Sequence, residues 1–249
     1  MSNYIVDVEN LTIRFNLANE KVDNLKEYFI KLVKGELLFQ EFFALQNVSL
    51  KVKKGEAWAL IGVNGSGKST LLKAVSGILK PYSGTVNVYG EIAPLIELGA
   101  GFDGNLTARE NIYLNGAILG HSIKFMDEHF NDVVQFAEIE NFLDTPIKNF
   151  SSGMKARLGF AVATITNPDV LIVDEVLSVG DFLFRQKCMK RMQEMLDSGT
   201  TLLFVSHNVD TVKSICSHAI WLNKGKTVMS GEVNEVCNMY MEMQKGIKR

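Results

Sequence analysis

Cysteine is scarce in this chain of 249 residues: Cys188, Cys216 and Cys237 stand far apart and form no C-x-x-C pair. That spacing excludes a disulfide framework and a thiolate zinc site, and it implies a reducing compartment. A basic excess is missing too. Lysine and arginine number 26 against 28 acidic residues, a formal net charge of −2, so no field of one sign draws the protein to nucleic acid. Long apolar runs are lacking. Val170–Val173 and Thr201–Val205 are strand-sized and too short to span a bilayer. The first residues have no basic region followed by an apolar core, so no secretory leader is expected. There is no internal repeat and no low-complexity stretch. The expectation is a soluble, cytosolic protein that acts at a membrane only through a partner.

What is present begins at residue 62. Gly62, Val63, Asn64, Gly65, Ser66, Gly67, Lys68, Ser69 and Thr70 follow the pattern G-x-x-x-x-G-K-[ST], which cradles a nucleotide's phosphates. Its glycines let bare backbone N–H groups approach a polyphosphate. Lys68 supplies charge to the β and γ phosphates, and the Ser69 hydroxyl is a ligand for Mg²⁺. An apolar run, Ala57–Ile61, precedes the motif, and Thr70–Ser76 continues as a helix whose N-terminus favours an anion.

Two further strands end in chemistry. Val170–Val173 runs into Asp174 and Glu175. Asp174 at a strand tip suits a metal ion, and Glu175 suits a base for the attacking water. Thr201–Val205 leads to His207, where the C-terminal ends of parallel strands gather ligands. Elsewhere, strands are expected at 4–15, 44–52, 56–61, 85–89 and 92–97, with a strand pair over 219–229 turning at Gly225. Residues 21–43 place Leu25, Phe29, Leu32 and Val33 at helical spacing with lysines interleaved. Residues 107–165 read as helical with Pro146 as a break, 182–197 as a helix, and the last helix starts near Glu232. Strands alternating with helices imply a mostly parallel sheet covered on both faces.

Together these elements resemble the nucleotide-binding subunit of ABC transporters over nearly the whole chain. The discriminating match is Phe150-Ser-Ser-Gly-Met154 followed by a basic helix, similar to the family's Leu-Ser-Gly-Gly-Gln signature. Ser151 and Gly153 match it, whereas Ser152 and Met154 depart. The resemblance implies an α/β fold: a P-loop NTPase, RecA-like core at about 1–97 and 160–249 with a mixed sheet and an antiparallel β edge. A helical subdomain is inserted at about 98–159 and a helix at about 21–43. It also implies ATP and Mg²⁺. The signature residues Ser151, Ser152 and Gly153 are expected to act in trans, on ATP held by a second copy in a head-to-tail pair. A plain N-cap is the other reading of the serines. Ser178 and Asp181 match a Ser-x-x-Asp segment at the dimer interface. Phe15 stands where an aromatic stacks on adenine, although it is equally a core residue, and Phe42 and Phe43 compete for the role. The family's usual glutamine is missing, since none occurs between Gln46 and Gln135. Glu97 is its nearest equivalent as a metal ligand.

The segments from Glu97 to Phe102, Leu106 to Ile112 and Asp174 to Asp181 resemble the branch that exports lipid-linked polysaccharides: O-antigen, capsular glycan or teichoic acid. That branch carries an extra helix before the second strand, matching 21–43, which is either a membrane-facing gate or a helix packed on the sheet edge. No C-terminal carbohydrate-binding domain is expected. The implied partners are a permease of about six spans and, through it, the glycan, with the protein on the cytoplasmic face of the membrane. Alternatives are another ABC transporter (a drug or lipid exporter, or an importer) or a soluble ABC ATPase. A non-catalytic module is disfavoured by the presence of both Glu175 and His207.

Overall fold

The computed structural model describes residues 4–18, 39–95, 99, 101–174, 181–206 and 208–247. Two sheets organise them. Strands β1 (Val6–Ala18), β2 (Phe39–Val52) and β4 (Ser83–Val88) form an antiparallel sheet in the order β2-β1-β4. Strands β3 (Ala57–Ile61), β5 (Ile92–Leu95), β6 (Val170–Val173), β7 (Thr201–Val205), β8 (His218–Asn223) and β9 (Lys226–Glu232) form the second sheet, ordered β5-β6-β7-β3-β8-β9. Every neighbouring pair in it is parallel except β8 with β9.

The central strands β3, β6 and β7 are buried along their full length, as a sheet covered on both faces requires. Alternate side chains sort to opposite faces. Trp58, Leu60, Val170, Ile172, Leu203 and Val205 pack toward the antiparallel sheet and helix α1 (Lys68–Val75). Ala59, Leu171, Val173, Leu202 and Phe204 pack toward helices α5 (Phe182–Asp197), α6 (Val209–Ile215) and α7 (Val233–Ile247).

Helices α2 (Ala108–Ile118), α3 (Ile123–Ala137) and α4 (Ser152–Ala163) have a hydrophobic cluster of their own around Ile112, Met126, Val133, Ile147 and Leu158. Entry into α2 is fixed by a capping box between Thr107 and Glu110. The fully buried Asn111 also holds the loop before it. Its side-chain amide donates to the Asp103, Leu106 and Thr107 carbonyls, and its oxygen accepts from the Asp103 N–H at 2.9 Å.

One expectation changes. The helix expected over 21–43 does not reach residue 43, because β2 begins at Phe39. Phe42 pairs across the ladder with Phe15, an aromatic pair of the kind a pleated surface favours, and Phe43 lies opposite Arg14. Residues 19–38, the rest of that segment, lie outside the described residues. The expected strand at 85–89 forms as β4 and pairs with β1 in the antiparallel sheet.

Candidate nucleotide site

The site is built where β3 ends. Gly62 turns the chain out of the sheet with φ 146°, and a Cβ there would run into the Leu222 carbonyl and the Ser66 hydroxyl. Gly67 sits in the left-handed region at φ 109°, where a Cβ would lie 2.7 Å from Leu45 Cδ2. Gly67 is also the N-cap of α1, and no side chain caps that helix. Its first-turn amides therefore face the loop as a donor set for an anion.

Lys68 is buried, and its ammonium donates to the Gly62 and Val63 carbonyls at 2.9 and 3.1 Å. The charge is thereby folded over the loop it would serve. The Ser69 hydroxyl donates to Asp174 Oδ2 at 3.0 Å, so the helix start and the tip of β6 meet. An open cleft of about 380 Å³ is lined by Asn64, Gly65, Gly67, Lys68, Ser69, Thr70 and Asp174. Val63, Asn64 and Gly65 are exposed at its mouth, while Gly62 and Ser66 are buried beneath it. Ser69 and Asp174 offer one neutral and one anionic oxygen. That hard donor set fits Mg²⁺, which keeps water and phosphate oxygens in its remaining positions.

The β8–β9 turn braces the loop from behind. The Gly225 N–H donates to the Ser66 carbonyl at 3.0 Å, and the Gly225 carbonyl accepts from the Gln46 N–H at 2.8 Å. Sequence reading saw Gly225 only as a turn, because nothing local tells that the turn lies under the loop.

Ser151 is the N-cap of α4, and its Oγ accepts from the Met154 N–H at 3.2 Å. Ser151 and Ser152 are exposed, and neither they nor Gly153 line the cleft beside Lys68. A Cβ on Gly153 would touch only Ser151 Oγ, at 3.8 Å, so the chain's own packing does not demand glycine there. Asp181 caps α5 and accepts from the Phe184 N–H at 2.9 Å. That bond holds its carboxyl below the usual range. Phe15 is a partly exposed residue of β1 directly opposite Phe42. Glu97, Glu175, Ser178 and His207 lie outside the described residues.

Residues 45–178 match the ABC transporter family. The teichoic acids export ATP-binding protein TagH of Bacillus anthracis is 41% identical over 98% of this chain and 43% of that protein. The protein of the same name from Lactiplantibacillus plantarum is 42% identical over 98% of this chain and 66% of its own length. The chain therefore spans less than two thirds of either TagH protein. The O-antigen export system ATP-binding protein RfbB of Klebsiella pneumoniae is 39% identical over 96% of this chain and 98% of that protein. Among solved structures, the ATP-binding subunit of an ABC transporter superposes with a TM-score of 0.75 at 22% identity, covering 95% of this chain and 93% of that one. An ATP-binding cassette described as a dimeric post-hydrolysis state with ADP and phosphate gives 0.73 at 22% identity, covering 92% and 98%. Those two likenesses concern the fold. The family match spans more than half of the sequence and the relatives align along almost all of it: the chain belongs to the ABC transporter family.

Proposed function

We propose that this chain is the ATP-binding and ATP-hydrolysing subunit of an exporter that moves a lipid-linked polysaccharide across the cytoplasmic membrane. The observation that carries the reading is the cleft after β3, where an uncapped helix start, Lys68 and the Ser69–Asp174 pair converge. A triphosphate suits that arrangement of donors better than any neutral ligand does. The printed names of the relatives, teichoic acid export and O-antigen export, favour a polysaccharide as the cargo.

In this reading Lys68 leaves the Gly62 and Val63 carbonyls and takes the β and γ phosphates. Ser69 and Asp174 hold Mg²⁺, which when bound neutralises charge on the transferring phosphate. Glu175 orients and deprotonates the attacking water, His207 steadies the γ-phosphate, and Phe15 stacks on the base. Glu97 stands in for the glutamine as a metal ligand. Phosphoryl transfer to water then rests mainly on positioning and on stabilising charge. The exposed Ser151–Gly153 segment does not line the cleft of its own chain, which supports its use on a second copy's ATP, with Ser178 and Asp181 along the shared seam. Among the described residues no helix is long and apolar enough to cross a membrane. The reading adds a permease subunit of about six spans, which would hold the protein at the cytoplasmic face.

The test pairs two variants. Glu175→Gln should bind Mg·ATP within about threefold of wild type, lose hydrolysis by at least about 100-fold, and elute as a dimer with ATP. Lys68→Ala should lose both nucleotide retention and turnover. A Glu175→Gln protein that hydrolyses ATP at the wild-type rate, or stays monomeric at saturating ATP, overturns the reading.

A further inference from the structure

Helix α4 belongs to two packing units at once. Leu158, Ala161 and Val162 sit in the cluster shared with α2 and α3. The fully buried Phe160 instead joins the cluster on the parallel sheet, stacked on Phe136 at 5.6 Å and edge-on to Phe184 at 6.4 Å. Whatever orients α4 thus orients the Ser151 end of the helix relative to the phosphate cleft. Beside this aromatic joint lies Arg157, its side chain only 19% exposed. Its guanidinium carbon is 4.8 Å from the Phe184 ring centroid. One arm of the fork donates to Glu138 Oε2 at 2.5 Å, and the other donates to Asp181 Oδ2.

Each carboxylate is fixed from its own side. Glu138 is the left-handed C-cap of α3, and it also accepts from Lys187 of α5 at 3.2 Å. The same ammonium donates to the last carbonyls of α3, Gln135 and Phe136. Asp181 is the N-cap of α5, and the chain reaches it from Asp174 through residues 175–180. Asp174 is bonded to Ser69 in the phosphate cleft.

We propose that Arg157 is a positioning residue: it bridges Glu138 at the end of α3 and Asp181 at the start of α5 and so sets the direction of the Ser151–Gly153 end of α4 relative to those two helices. This deepens the function proposed above and rests on it for its effect on turnover. A planar two-armed donor is what two carboxylates on separate helices require, and a lysine offers one point charge instead. Stability alone is a poor account of the arrangement. Both carboxylate side chains are half exposed, at 50% and 57%, and ion pairs in that setting add little to folding. What a bridge there changes is direction, and a small misplacement of a catalytic segment costs large factors in rate.

The test compares Arg157→Met, Arg157→Lys and Glu138→Gln with wild type in the full chain. Arg157→Met should lower kcat at saturating Mg·ATP by about tenfold or more, with Mg·ATP affinity within about twofold, because the phosphate loop is untouched. Arg157→Lys should recover part of the rate, and Glu138→Gln should lose about threefold. Amide exchange should quicken at residues 152–156 and stay at the wild-type rate in β3, β6 and β7. Wild-type kcat in Arg157→Met, or exchange at 152–156 unchanged, overturns the proposal. So does a rate loss matched by an equal loss of affinity or by faster exchange throughout the sheet. Should Arg157→Met fail to fold, Glu138→Gln with wild-type kcat and exchange overturns it instead. An inactive wild-type chain would refute the ATPase reading, and the exchange comparison would still decide the clasp.

Discussion

The two ends of the parallel sheet are built on opposite plans. At the end where the strands begin, polar groups are matched inside the protein. The Thr201 hydroxyl accepts from the Gly55 N–H at 2.9 Å, and the Thr200 hydroxyl donates to the Pro168 carbonyl at 3.0 Å. Glu56 accepts from the Trp58 indole at 2.8 Å and from the Lys53 N–H at 3.0 Å, while Asp169 accepts from Lys54 and from the Glu91 N–H. Trp58 and His218 stack across β3 and β8. At the end where the strands finish, β3 gives way to a glycine-rich turn and an uncapped helix, and β6 gives way to Asp174. Among the described residues the buried side-chain polar atoms without a hydrogen bond are Ser66 Oγ, in the phosphate loop, and Asp7 Oδ1 in the antiparallel sheet. One end closes its own hydrogen bonds and so holds the fold. The other leaves donors to be matched from outside, as ligand ends of parallel sheets do.

The largest effect should come from a substitution that breaks this division of labour. Gly62 belongs to the ligand end, yet it is wedged against the Leu222 carbonyl of β8 and the Ser66 hydroxyl. Gly62→Ala must displace backbone, at a φ that alanine avoids, so it should cost more than about 4 kcal/mol of folding free energy. Denaturant unfolding should give an insoluble protein or a steep drop in midpoint. A Gly62→Ala protein as stable as wild type would mean that the turn is not packed against β8 as described. Thr201→Val probes the opposite end. It keeps the shape but strips the acceptor from the Gly55 N–H in a fully buried position, which should cost about 1–2 kcal/mol. ATP turnover at 25 °C should stay within about twofold, because the change lies at the far end of the strands from the cleft. A large loss of turnover with stability intact would erase the contrast between the ends.

How much of this was legible in the sequence follows the same division. The limits of β6, β7 and α5 were readable because apolar runs change abruptly to polar residues and Asp181 is a strong N-cap. The phosphate loop was readable because its chemistry is local: nine consecutive residues fix the turn, the charge and the helix start. The matched end was invisible, since the Thr201 hydroxyl and the Gly55 N–H, or Lys54 and Asp169, are single polar groups 146 and 115 positions apart. Gly225 beneath the loop and Arg157 between two carboxylates escaped notice for the same reason. The start of β2 was missed through a conflict of periods: a helical repeat over Leu25–Val33 was carried on into Phe42 and Phe43, where aromatic cross-strand pairing takes over.

The smallest effect expected, and the finest probe of the contrast, is at Asp169. Its carboxyl is held below the ordinary range chiefly by the hydrogen bond from the Lys54 ammonium at 2.9 Å, then by the Glu91 N–H at 3.1 Å. A depressed folded value means that the unfolded chain binds the proton more readily. The stabilisation is therefore complete above the unfolded value, about pH 4, and is lost as pH falls through the folded one. The side chain is 37% exposed and Lys54 68%, so solvent screening keeps the contribution below about 1 kcal/mol. Asp169→Asn should be less stable than wild type at pH 7 by that margin, with the gap shrinking toward pH 3 and in concentrated salt. Urea unfolding at pH 7, 5 and 3.5 measures it, and a gap that stays constant with pH would assign the loss to shape rather than charge. ATP turnover at pH 7 should be the same in both proteins. If Asp169→Asn slowed hydrolysis without lowering stability, a residue at the closed end would be acting on the open one, and the sheet would have to be treated as a single coupled unit.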